Sequence, residues 1–143
     1  ISDTKSKLYR YSIYTGKTRP VLKVNHCWHR PGKLDIVPMQ EAAKKFVGEK
    51  DFKSFATTAD KRSSSVRTVL QCEVTQEKDW IYIDVEANGF LYNMVRNIVG
   101  TLVEIGRGRW QPEVVDKILE AKKRTAAGPI APAQGLCLMW IKY

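Results

Sequence analysis

No stretch of this 143-residue chain approaches the 18 consecutive apolar side chains that a membrane-spanning helix requires, so no membrane span, and no membrane partner of that kind, is expected. Its first residues, Ile1-Ser2-Asp3-Thr4-Lys5, have neither an initiator methionine nor the apolar core of a secretory signal, and the chain reads as an excised or processed piece. Cysteine is scarce. Cys27, Cys72 and Cys137 are odd in number, far apart and without a Cys-x-x-Cys pair, which points to reduced thiols in a cytoplasmic setting. Nine glycines and six prolines are too few for a collagen-like or low-complexity chain, and 43% apolar with 27% charged residues is the make-up of a globular domain. Acidic side chains are the most uneven shortage. Residues 1–34 contain one acidic and eight basic residues, residues 1–70 contain six and fifteen, and residues 71–143 contain nine of each. A cationic surplus this concentrated favours an anionic partner, nucleic acid first and an acidic membrane surface second, against a merely solubilising basic face.

Several chemistries lack their residues. There is no serine set beside a base in a known pattern, no glycine-rich phosphate loop and no zinc-deaminase spacing. The one metal-like cluster is His26-Cys27-Trp28-His29. In an extended segment these side chains alternate between two faces, so at most two of the three ligands reach one ion, and no metal is expected.

What is present alternates between strand and helix periods. Tyr9, Tyr11 and Ile13 alternate with Arg10, Ser12 and Tyr14 as a strand buried on one side, and His26 to His29 reads as a short strand ended by Pro31-Gly32. Asp35 is an N-cap candidate for a helix running to about Gly48, with Met39, Ala42, Ala43, Phe46 and Val47 on its apolar stripe. Ala56 to Ser65 reads as an exposed loop, while Val66 to Val74 and Ile81 to Ala87 form an antiparallel hairpin around Lys78-Asp79. Phe90, Leu91, Met94, Val95, Ile98, Val99, Leu102 and Val103 fall on paired i, i+4 rows and predict a largely buried helix ending at Gly106. Pro112 opens a shorter helix, and a glycine- and proline-rich stretch from Ala126 to Gly135 leads to a last strand from Leu136 to Tyr143. The pattern predicts a single α+β domain over residues 1–143, with a mostly antiparallel sheet and helices packed on one face.

Arg96 interrupts the most apolar helix, on a polar or small row with Asn88, Tyr92 and Gly100. A buried guanidinium there needs a carboxylate or phosphate to offset its desolvation; alternatively Arg96 emerges at the edge of the apolar face and is solvated. Tyr9-Arg10-Tyr11 lies in the most basic segment with Lys5, Lys7, Lys17 and Arg19, a mixture suited to stacking on bases and gripping phosphates, although a core strand would turn at least one tyrosine inward. Composition and pattern thus support a basic α+β nucleic-acid-binding domain without naming a reaction.

Four ordered segments carry a resemblance: Lys7-Leu8-Tyr9-Arg10-Tyr11, Gly48 to Phe55, Asn88 to Leu102, and Arg124-Thr125-Ala126-Ala127-Gly128-Pro129 running into Ala131 to Leu136. Together they resemble the C-terminal half of the tRNA pseudouridine synthases called TruA. The resemblance implies a cofactor-free isomerase that turns uridine into pseudouridine in the anticodon stem-loop of tRNA, in a cytoplasmic homodimer. It implies that Arg96 pairs with the nucleophilic aspartate, that Tyr9 packs against the target base and that Leu136 lines the pocket. Lys7, Arg10, Lys17, Arg19, Lys61 and Arg62 are the candidate RNA contacts, and the apolar signature helix and the Trp80, Tyr82 strand face are the candidate dimer surfaces. The aspartate motif of the family, of the form Arg-Thr-Asp-x-Gly-Val-His, has no counterpart in residues 1–143; Asp60 has neither its preceding arginine nor its following glycine and histidine. Asn93 is a smaller departure, at a position where many members carry histidine. The chain is therefore expected to be inactive alone, the alternative being a non-catalytic RNA-binding module.

Overall fold

A computed structural model describes residues 5–20, 25–57 and 64–143; Asp60, Lys61 and Arg62 lie outside them. The elements follow in the order β1 (Ser6–Tyr14), β2 (Trp28–His29), α1 (Ile36–Lys44), β3 (Gly48–Asp51), β4 (Val66–Glu77), β5 (Trp80–Ala87), α2 (Met94–Gly106), α3 (Val114–Ala121) and β6 (Leu136–Lys142). This is an α+β fold on a six-stranded sheet of order β2-β1-β5-β4-β3, with β6 antiparallel to β1 along the same edge that β2 uses further on. The sheet is antiparallel except for the two-residue β1–β2 pairing, which makes it mixed.

Alternation in β1 and β5 sorts the side chains. Tyr11, Ile13, Ile81, Ile83 and Val85 are fully buried beneath the helices, where Met39, Ala42 and Ala43 of α1 and nearly all of α2 meet them. Helix α1 begins as its sequence predicts, with the Asp35 carboxylate accepting from the Val37 N–H at 3.2 Å, but it ends at Lys44 rather than near Gly48. The chain turns there and Gly48, at φ 117°, opens β3, an edge strand whose polar sequence Gly-Glu-Lys-Asp gives no alternating signal. Helix α2 starts at Met94, not at Phe90, because Asn93 sits at φ 62° and a left-handed residue cannot continue an α-helix backwards.

A long segment from Arg124 to Gly135 crosses α2 before entering β6. It comes so close that a Cβ at Gly100 would lie 1.6 Å from the Pro129 carbonyl oxygen, and one at Gly128 would lie 2.9 Å from the Gly100 oxygen. Only glycine allows the two backbones to meet here. The Gly128 N–H donates to Thr101 Oγ1 at 2.9 Å, and Tyr11 donates its hydroxyl to the Pro132 carbonyl, fastening this crossing segment to both helix and sheet.

Candidate active site

The period of β1 that buries Tyr11 also turns Lys7 and Tyr9 to the helix face, near the N-terminal end of the strand. Leu136 is the ladder partner of Tyr11 and therefore shares that face. The turn from Asn88 to Asn93 folds over the same end, and Phe90 meets Tyr9 edge-to-face with ring centroids 5.0 Å apart. The result is an open cavity of about 480 Å³ lined by Lys7, Tyr9, Phe90, Asn93, Arg96 and Leu136 among others. Tyr9, Arg96 and Leu136 come from β1, α2 and β6, and the fold brings all three to one wall system.

Arg96 is half-buried in the first turn of α2. Its Nε donates to the Ala131 carbonyl at 2.8 Å and its Nη1 to Asn93 Oδ1 at 3.3 Å, while its own carbonyl accepts the Ala131 N–H at 3.2 Å. Among the described residues no carboxylate pairs with it. Both acceptors are neutral, so they hold the plane of the guanidinium without themselves compensating its charge. Burial pushes the neighbouring Tyr11 hydroxyl well above the ordinary tyrosine range, and the positive charge of Arg96 opposes that shift only in part. Tyr11 is thus kept as a neutral donor to the segment that crosses α2.

The basic candidates divide. Lys7 lines the cavity. Arg10 does not: it points to the opposite, helix-free face, where its Nε and Nη2 hold both Asp84 oxygens at 2.8 and 3.0 Å and its guanidinium lies over the Tyr82 ring at 4.7 Å. Lys17 and Arg19 are exposed in the turn that follows β1, beyond the end of the strand remote from Lys7. Lys61 and Arg62 fall outside the described residues. On the helix-free face, Trp80 stacks on Tyr82 at 6.1 Å and Tyr14 packs on Trp80 at 4.8 Å. In the metal-like cluster, Cys27 is buried and His29 Nε2 lies 2.8 Å from the Gly16 carbonyl oxygen. Sequence reasoning gave no role to Phe90 and none to the Ala131 carbonyl. Phe90 was absorbed into a helical period, and a backbone acceptor leaves no mark in sequence.

The family model for tRNA pseudouridine synthases matches residues 42–143. The chain belongs to that family. A protein named tRNA pseudouridine synthase A from Caldicellulosiruptor saccharolyticus is 44% identical over 139 residues, covering 97% of this chain and 57% of the relative. Its namesake from Moorella thermoacetica is 46% identical over 139 residues, with 97% and 56% covered, and that from Geotalea uraniireducens 44% over 142 residues, with 99% and 58% covered. As a pseudouridine synthase family member, the chain spans a little over half the length of these curated relatives, and the cavity lies within the part they share.

Proposed function

We propose that this chain is the C-terminal half of a cytoplasmic, homodimeric tRNA pseudouridine synthase that isomerises uridine in the anticodon stem-loop, and that the nucleophilic aspartate comes from the portion of such enzymes that this chain does not span. The observation that carries the reading is the convergence of Tyr9, Arg96 and Leu136 on one cavity, with Arg96 held, among the described residues, by neutral acceptors alone. A carboxylate entering beside Arg96 would be kept ionised and oriented, as a nucleophile in a dry pocket must be. The isomerisation breaks the bond from C1′ to N1 and forms one from C1′ to C5; the C5 hydrogen leaves as a proton and N1 ends bearing one. Between those steps the uracil is free, and the Tyr9 face, braced by Phe90, holds it for rotation in place, with Leu136 excluding water. Extruding the uridine costs a few kcal/mol of stacking, which contacts to flanking phosphates offset. Lys7 stands at the cavity for that purpose, and Lys17, Arg19, Lys61 and Arg62 are further phosphate contacts.

The test is tritium release from tRNA carrying uridine labelled at C5. The expected result is no release by residues 1–143 alone and release by the protein that also contains the aspartate motif. Turnover by residues 1–143 alone would overturn the assignment of the nucleophile.

A further inference from the structure

The amide of Asn93 is spent on neither helix capping nor solvent. Asn93 occupies the N-cap position of α2 at φ 62°, yet its side chain makes no capping hydrogen bond to the helix backbone. Instead Oδ1 accepts from Arg96 Nη1 at 3.3 Å and Nδ2 donates to Thr57 Oγ1 at 2.8 Å, while the Thr57 N–H donates to the Tyr92 carbonyl at 3.1 Å. The order of this relay is forced. A guanidinium only donates, so the amide oxygen must face Arg96 and the amide nitrogen must face the hydroxyl. Together with the Ala131 carbonyl on Nε, the relay fixes two edges of the guanidinium plane.

We infer that Asn93, braced by Thr57, is a positioning residue that aims Arg96 into the cavity and does so with a neutral oxygen, so that the arginine's charge stays available to an incoming carboxylate. The inference rests on the proposed function and adds a residue to it. An aspartate at 93 has almost the same shape and tolerates the same left-handed backbone, but it would neutralise Arg96 in advance. A neutral histidine also offers one donor and one acceptor and also tolerates positive φ, so it can stand in for the amide until it is protonated. Glycine accepts the backbone and deletes the relay, which separates positioning from folding.

The experiment uses the full-length protein. Asn93→Gly is expected to lower kcat for pseudouridine formation by about ten- to a hundredfold, the scale of a misplaced catalytic group, with the KM for tRNA and the melting temperature close to wild type. Asn93→His recovers most of that loss at neutral pH and acquires an acid limb near or below pH ~6.5 that the wild type lacks. Asn93→Asp loses at least as much as Asn93→Gly. A wild-type kcat in Asn93→Gly, or a higher kcat in Asn93→Asp than in Asn93→Gly, overturns the inference. Hydrogen exchange at Arg96 Nη1, the donor to Asn93 Oδ1, followed by NMR in the same proteins, is slow in the wild type and faster in Asn93→Gly; equal rates overturn the inference independently of turnover. A wild type that forms no pseudouridine overturns the proposed function alone, and the exchange rates then decide for or against the role of Asn93.

Discussion

Arg10 and Arg96 lie on opposite sides of the sheet, one on strand β1 and the other on helix α2, and are held in opposite ways. On the helix-free face, Arg10 grips both oxygens of Asp84 and lies over Tyr82, so its charge is matched by a bidentate pair. On the helix face, Arg96 is held by the Ala131 carbonyl and the Asn93 amide oxygen, which orient a guanidinium without neutralising it. A bidentate ion pair at a half-exposed site is a brace for the sheet. A cation in a cavity held by neutral acceptors keeps its charge available, which the proposed function assigns to an anion from elsewhere. Counting basic residues cannot separate the two; their acceptors can.

Three experiments probe this contrast. The largest expected effect is at the crossing of α2: Gly100→Ala puts a Cβ against the Pro129 carbonyl and should destabilise the fold by about 3 kcal/mol or more, measured by denaturant unfolding. It should also free Ala131 from Arg96 while the Arg10–Asp84 pair stays formed; an unchanged unfolding midpoint would mean that the crossing segment is not needed where it lies. Next, a double-mutant cycle of Arg10→Ala and Asp84→Ala should return a coupling of about 1 kcal/mol, as for a well-aligned pair still partly open to water. A coupling near zero would remove Arg10 as a brace. The smallest effect is in alkali. Burial raises the Tyr11 hydroxyl above its ordinary range and the Cys72 thiol to about 12, so the folded state holds protons that the unfolded chain releases. Stability is therefore full below roughly pH 8.5, the ordinary cysteine value, and falls as pH climbs through 10 and beyond. Tyr11→Phe should flatten the part of that fall above pH ~10, and no change in slope would contradict the neutral, hydrogen-bonded Tyr11 described here.

Much of the scaffold was legible because its periods are clean: the alternation of β1, the β4–β5 hairpin and the apolar rows of α2 each have one face to bury. Strand β3 was not, since an edge strand of Gly-Glu-Lys-Asp owes its form to pairing with β4 rather than to its own pattern. The start of α2 was misplaced because Phe90 and Leu91 satisfy a helical row while serving the cavity and core from a turn. Arg10 is instructive. The same alternation that turned Tyr9 and Tyr11 inward already placed it on the other face, but its partner Asp84 is 74 residues away and only the sheet register brings them together. Arg96 stood out as a charge in an apolar helix, whereas the neutrality of its surroundings depended on a carbonyl 35 residues on.

The difference between the two arginines is tested most directly by pseudouridine formation in the full-length protein with each replaced in turn. Arg96→Ala should lower turnover by about a hundred- to a thousandfold, as loss of a preorganised charge does, while Arg10→Ala stays within about threefold of wild type. Equal losses in the two variants, or the larger loss from Arg10→Ala, would contradict it.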